Sequence, residues 1–433
     1  MPGFRSEHLL STAPFGLPTL AATLICLTAG HALAQTNAAQ EDQYRQGVYQ
    51  RETGQPYSAI ETLDALLQAS PTLNRARLEL AVAYYRTLNF AQAKAEAQKV
   101  LDDRKTPEAV RLSVLSFLKQ LELEEAATFG KPHRLDTNLS LGAHYDSNVT
   151  AGPDNAVLPD GGIVEPESLK RGDSGYVLQA GMSHTWQSST VGRLREATTR
   201  AGWSSQAGVY YKGYSKLNEY NLGVLTASTG PTLTIGNGWR GNLSFQADRL
   251  TLGDRKLALY TSVAPAATWR VGTGAELTLD AQWAYRNFNR PDDQGRDGRY
   301  RSSGISYGTL LNKNKLALQT GYKAFTEDAQ NLIFSNSGYE LFLGGRQRVW
   351  DGGDVFARAA LRHTGYRTVA ALSTEARSEN EQRLELGASH QYQSGWLDKW
   401  QASATVTHIN NKANLSVYDY DRDMVQFALG RSY

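Results

Sequence analysis

The sequence predicts an α+β multi-domain chain: a short N-terminal α-helical array followed by a 14-stranded antiparallel transmembrane β-barrel. Three observations predict it. The apolar period changes from near 3.6 to 2 at about residue 130, which marks a change from amphipathic helices to half-buried strands. From His133 to Tyr433, fourteen apolar-alternating segments are separated by connections that run long, short, long, short to the end. An even antiparallel set with tight turns on one rim and long loops on the other is the pattern of a barrel that crosses a membrane. Finally, segments of about 12 to 15 residues exceed the usual globular strand and suit a tilted bilayer crossing.

Composition bounds the alternatives. The chain has 433 residues, 41% hydrophobic and 20% charged, so it carries no bias toward disorder. Its formal charge of +2 is spread along the chain without a basic stripe, which argues against a nucleic-acid partner. Residues 1–34 carry basic Arg5 near their start, continue through an apolar run from Leu17 to about Thr28 and end Ala32-Leu33-Ala34, the layout of a cleavable secretory signal. The single cysteine, Cys26, follows bulky Ile25, which disfavours a lipoprotein box. Cleavage after Ala34 would remove Cys26, leaving neither disulfides nor thiol chemistry. Beyond the signal there is no uninterrupted apolar run of about 18 residues, so any membrane span must be made of strands. The expected domains are therefore a signal peptide, 1–34, a helical domain, 35–130, and a barrel, 131–433.

From Glu41 to about Phe129 the apolar residues fall at helical spacing, as in Leu63, Leu66 and Leu67, or Val110, Val114, Phe117, Leu118 and Leu121. A shift of 34 residues aligns Gly47 with Ala81, Ala59 with Ala93 and Leu66 with Val100; Pro71 closes the first unit much as Pro107 closes the second. Small residues let paired helices approach closely, and the array resembles a short tetratricopeptide repeat. Such an array offers a concave binding groove, a role favoured over that of a mere spacer. Glu122, Glu124 and Glu125 read as a solvated helix face. Phe129-Gly130-Lys131-Pro132 ends the helices, with glycine closing the last turn and proline preventing its resumption.

The strand segments are 134–146, 174–187, 194–210, 219–235, 239–250, 258–271, 274–287, 299–310, 315–327, 337–348, 353–367, 380–393, 398–410 and 421–433. In the seventh, Leu277, Leu279, Ala281, Trp283 and Tyr285 share one face, while Glu276, Thr278, Asp280, Gln282 and Arg286 share the other. One face suits lipid and the other water. The same alternation assigns Arg134, Asp136, Glu276, Asp280, Arg286, Lys323, Arg358, Arg362, Arg383 and Glu385 to the lumen. Aromatic residues gather near segment ends, among them Tyr176, Trp186, Tyr210, Tyr211, Trp239, Trp269, Trp283, Tyr285, Tyr300 and Trp400, as an interfacial girdle requires. Pro231 and Pro265 each remove a ladder donor and predict bulged or shortened strands. An even strand count returns the chain to its starting rim, so the helical domain and Tyr433 are expected on the tight-turn, periplasmic side.

No catalytic, cofactor or metal site is expected. Gly304-Ile305-Ser306-Tyr307-Gly308 matches a hydrolase pattern literally, but that chemistry needs a strand-to-helix elbow and this stretch lies in an alternating strand. His144, His184, His363, His390 and His408 lack paired metal spacing. The oxygen-rich stretch Asp146-Ser147-Asn148, with Asp154, Asn155 and Asp160, lacks calcium-loop spacing and reads as a solvated loop, with calcium as the lesser alternative.

The signal, the short helical module, the Phe-Gly-Lys-Pro junction and the stretch Gly142-Ala143-His144-Tyr145-Asp146-Ser147-Asn148-Val149 together resemble the surface lipoprotein assembly modifier (Slam) family. Tyr145 to Val149 is the most specific part. The resemblance implies an outer-membrane translocator that brings a lipoprotein or secreted protein from periplasm to cell surface. The helical domain would engage the substrate and the barrel would pass it. Independently of that resemblance, the last strand carries Val425, Phe427 and Leu429 at every second position and ends on aromatic Tyr433, which resembles the signal read by the outer-membrane barrel-insertion machinery; that machinery and outer-membrane lipids are the other expected partners. The helical module is shorter than is usual in the family. The alternatives are an exopolysaccharide-export barrel or a general porin-type barrel with a periplasmic scaffold.

Overall fold

In the computed structural model, the residues described are 38–158, 161–236, 238–369 and 375–433. The expected signal, with Asp160 and Asn237, lies outside them. The described residues divide into two compact units, one of 38–134 with 186–202 and 233–236, the other of the remainder. Five helices are described in the first unit: α1 (Ala38–Glu52), α2 (Pro56–Ala69), α3 (Asn74–Arg86), α4 (Phe90–Asp102) and α5 (Glu108–Phe129).

These helices form where apolar side chains recur on one stripe, and the stripes face each other. Leu63, Leu66, Leu67, Ala76 and Leu80 make one buried cluster; Leu78, Ala81, Phe90, Ala93, Ala97, Val100, Val114, Phe117 and Leu121 belong to a second. Helix α4, from Phe90, begins 34 residues after α2, from Pro56, while α3, from Asn74, begins 36 residues after the first described residue of α1, Ala38. Ala59, Leu66, Ala81 and Ala93 are all fully buried, and Pro71 lies in the connection between α2 and α3. At Gly47 an added Cβ would lie 2.6 Å from Cγ of Leu63, so the α1–α2 approach depends on the missing side chain. Gly130 closes α5 as expected, in right-handed helical geometry with its amide donating to the Ala126 carbonyl.

The acidic cluster on α5 lies on an exposed to half-buried face, where each carboxylate also meets a partner. Glu122 pairs with Lys119 at 3.2 Å, Glu125 with Lys94 at 2.5 Å, and Glu124 accepts from the Tyr85 hydroxyl at 2.5 Å.

Fourteen strands follow: β1 (His133–Asp146), β2 (Asp173–Leu194), β3 (Ala197–Tyr214), β4 (Leu222–Ile235), β5 (Trp239–Leu252), β6 (Arg255–Gly272), β7 (Ala275–Phe288), β8 (Gly298–Leu311), β9 (Leu316–Ala329), β10 (Asn336–Trp350), β11 (Gly353–Val369), β12 (Ala376–Gln391), β13 (Trp400–Ala413) and β14 (Tyr420–Ser432). Each pairs with its neighbours in sequence, and β1 pairs antiparallel with β14 to close the barrel, with Leu141 opposite Leu429 and Tyr145 opposite Val425. Closure leaves no unpaired sheet edge.

Three expectations about the strands need correction. The β5–β6 connection is a two-residue turn, Gly253-Asp254, with φ of +57° and +58°, the geometry of a type I′ hairpin, so the regular alternation of long and short connections breaks there. Strand β2 runs on to Leu194 and turns at Arg195-Glu196, several residues beyond its expected end. Pro265 neither bulges nor shortens its strand, and Pro231 lies within β4, which runs from Leu222 to Ile235. Around Pro265 the β6–β7 ladder passes from Val263–Trp283 to Ala266–Asp280 in the same register, and the missing donor leaves only a local gap in the bonding.

Candidate functional site in the barrel interior

Because directly opposed residues of an antiparallel pair share a face, the register sorts every strand into two sides. One side carries Leu384, Leu386, Val406, Phe427 and Leu429, exposed apolar side chains. The other carries Glu381, Arg383, Glu385, Thr405, Thr407 and Gln426, which are partly buried. On a closed sheet the less exposed, polar side is the interior. Register puts Glu276, Asp280, Arg286, Lys323, Arg358, Arg362, Arg383 and Glu385 on that side; Arg134 and Asp136 share its parity along β1 but precede the first β1–β14 pair, at Asn138. Tyr300, expected in the aromatic girdle, is also interior, opposite Ala284 and Glu327, where its ring lies under the Arg286 guanidinium.

The interior charges are organised in pairs. Arg286 meets Glu327 at 2.6 Å, Arg383 meets Glu381 at 3.1 Å, and Glu276 meets Arg240 at 2.6 Å. Glu340 stands directly opposite Lys323 on one neighbour and Arg362 on the other, and lies 4.0 Å from both Arg358 and Arg362. Glu385 is opposite Arg358, while Asp280 faces the backbone opening left by Gly304. Glu327, Glu340, Glu381 and Arg240 were missed by the sequence reading, although they sit on the same period-two positions as the residues that were named.

The densest constellation lies where β1, β3 and β14 meet. Asp146 is fully buried and accepts from Nε of Arg422 at 2.8 Å, Nζ of Lys212 at 2.9 Å and the Tyr214 hydroxyl at 2.8 Å. Two cations and a hydroxyl around one carboxylate satisfy what would otherwise be a costly buried charge. His144 packs edge-on against Tyr214, its Nε2 3.1 Å from the carbonyl of Gly213.

The same cluster fastens the first long connection. Asn148 is fully buried, and its amide donates to the carbonyls of Gly152 at 2.9 Å and Asp421 at 2.8 Å. The Ser147 amide donates to the Asp423 carbonyl at 2.8 Å, and Val149 packs with Tyr214 and Leu217. Lys170, returning along the same connection, bridges Asp421 at 2.7 Å and Asp154 at 3.0 Å; its bond to Asp421 first, set against some burial, holds its ammonium above the ordinary lysine range. Asp146 and Asn148 are therefore not solvated as expected. Their oxygens are consumed by cations and backbone, and among the described residues no group of three or more metal-ligating side chains occurs.

The remaining sequence candidates are placed apart. Ser306 lies within β8, between Ile305 and Tyr307, away from any helix. His363, His390 and His408 each bond a neighbouring side chain, namely Asn380, Trp350 and Asp423.

No family model matches the chain, and no curated protein matches it. Among solved structures, it is similar to Pseudomonas aeruginosa OpdQ, at 10% identity over 70% of this chain and 99% of that one, with a TM-score of 0.33. It is similar to Pseudomonas aeruginosa OpdK, solved with vanillate, at 10% identity over 69% and 98% with a TM-score of 0.34. It is also similar to Acinetobacter baumannii OccAB1, at 9% identity over 70% and 97% with a TM-score of 0.38.

Proposed function

We propose that this chain is an outer-membrane barrel with a polar interior, a porin-type conduit whose passage is controlled at one rim by the Asp146 cluster and the connection it fastens. The observation that carries the reading is the two-sided closed sheet, apolar and exposed outside, polar and charge-paired inside. An interior lined by both charge signs favours passage of hydrated solutes over selection of a single charge. Its pairs also narrow the space available, because paired side chains reach toward each other across neighbouring strands. Bilayer recording tests this. Wild-type protein should give brief, infrequent openings and Asp146→Ala longer and more frequent ones; inserted protein that conducts in neither form would overturn the reading.

A second reading is favoured by the recurrence of the helices at a 34-residue offset and by the Tyr-Asp-Ser-Asn-Val stretch, of which Asp146, Asn148 and Val149 are buried. In it, the helices sit in the periplasm and engage a lipoprotein or secreted protein that the barrel then delivers to the cell surface. Surface proteomics of a deletion strain tests it: one or a few surface proteins should be depleted, and an unchanged surface would remove this reading while leaving the conduit.

A further inference from the structure

The outer wall of the barrel carries a concavity that neither the interior nor the helices use. Two adjacent rows of outward residues cross β5 to β8. One runs Ala247, Thr261, Tyr285, Arg299, and the other runs Phe245, Val263, Trp283, Arg301. Small side chains at Ala247 and Thr261 sit between the rings of Phe245, Trp283 and Tyr285, which leaves an open apolar groove of about 690 Å³. At its β8 end the groove meets a polar cleft of about 450 Å³, and Tyr285 and Arg299 border both.

The charges at that junction are unbalanced. Arg301 is 4.0 Å from Asp328, but Asp328 is already held by Arg367 at 2.6 Å. Arg299 stands directly opposite Asp328 and forms no ion pair among the described residues. The nearby carboxylate of Asp297 accepts from the Phe288 amide at 2.6 Å. Three guanidinium groups thus face two carboxylates on a lipid-facing wall, beside a slot lined by aromatic rings. A forked guanidinium suits phosphate, and an apolar slot suits an acyl chain.

We infer that this groove is a binding site for a phosphate-bearing membrane lipid, its acyl chain lying along Phe245, Val263 and Trp283 and its phosphate held by Arg299 and Arg301. The inference rests on the reading of the chain as a membrane barrel. It is tested by native mass spectrometry of the full chain in detergent micelles, with phosphorylated lipid A, the same lipid A after phosphatase treatment, and inorganic phosphate as probes. Wild-type protein should retain one lipid A per chain. Retention should fall at least tenfold for the dephosphorylated lipid and for the double variant Arg299→Gln/Arg301→Gln. Thr261→Trp, which fills the slot without changing charge, should do the same, so the test survives if the charge variant fails to fold. Equal retention of the dephosphorylated lipid, unaltered binding by both variants, or displacement of lipid A by millimolar inorganic phosphate alone would overturn the site. Heat-modifiable gel mobility of the wild type, scored in parallel, separates failure of this site from failure of the barrel reading.

Discussion

At the scale of single residues, Asp146 is the position on which most contacts converge. Removing its carboxylate leaves Lys212 and Arg422 buried beside each other without a counter-charge, a loss of about 3–5 kcal/mol for a broken buried pair. Asp146→Ala should therefore lower thermal stability in detergent as well as lengthen channel openings, both read on the same preparation. In the helical unit, Arg51 and Glu79 form a comparable pair at 2.6 Å, with side chains 3% and 9% exposed. Burial pushes the Glu79 carboxyl above its ordinary range against the opposing pull of Arg51. Glu79→Ala should destabilise this unit by about 3–5 kcal/mol, and Arg51→Met with Glu79→Leu should recover most of it, as measured by helical circular dichroism on melting. The residue scale is also where the sequence was least legible. Asp146 sits in a stretch that composition makes a solvated loop, and its partners lie 66, 68 and 276 residues away in the chain. Only barrel closure brings them together.

At the scale of elements, helix α2 shows how a fold-level contact completes a local one. Gln55, the residue before it, provides no side-chain cap, and the free donors of its first turn are met by Glu196 of the β2–β3 turn. Glu196 accepts from the Tyr57 amide at 2.9 Å, the Ser58 amide at 3.2 Å and the Ser58 hydroxyl at 2.7 Å, a carboxylate at the positive end of the helix. Burial opposes ionisation of Glu196, but the bonds from Ser58 and Tyr57 and the charge of Arg193 outweigh it and hold the carboxyl below its ordinary value. Glu196→Ala should cost about 1 kcal/mol, the usual loss for a helix cap, and should speed amide exchange at the start of α2. The pH dependence has a definite sign. The folded protein keeps this carboxyl ionised more readily than the unfolded chain, so the stabilisation is full above the ordinary value of 4.5 and is lost as pH falls through the lowered folded value. Protection of the α2 amides should decline over that acid range in wild type and stay flat in Glu196→Ala.

Gly47→Ala places a methyl against buried Leu63 and should cost about 1–3 kcal/mol by overpacking, measurable as a lower melting temperature of the helical signal. Elements were largely legible beforehand, because the change of apolar period near residue 130 and the recurrence of small residues at Gly47, Ala59, Ala81 and Ala93 follow directly from how helices and strands pack. The misreadings were at connections. Gly253-Asp254 sits among polar residues that read as a longer loop, and nothing local to β2 reveals that its ladder with β3 persists to Leu194.

At the scale of the whole molecule, fourteen strands close on themselves because β1 and β14 each offer an edge whose outward apolar residues come into register: Leu141 beside Leu429 and Ala143 beside Phe427. The strand number and the side taken by the interior charges were readable from period-two alternation, whereas Tyr300, an aromatic near a strand end, read as part of the outer girdle and is interior. The pairing partner of each interior charge was not, since it depends on register between strands. Glu340, midway between Lys323 and Arg362, has no distinguishing mark in the sequence. The central claim is that this sheet separates lipid outside from water inside, and adjacent residues of β12 test it most directly. Leu384 is outward and 46% exposed, while Glu385 is interior, opposite Arg358. Cysteines introduced singly as Leu384→Cys and Glu385→Cys, labelled with a small fluorophore in reconstituted protein, can be quenched from either phase. A nitroxide-bearing lipid should quench the label at 384 and aqueous iodide the label at 385; quenching of both by iodide alone, or the reverse assignment, would contradict a membrane-spanning barrel.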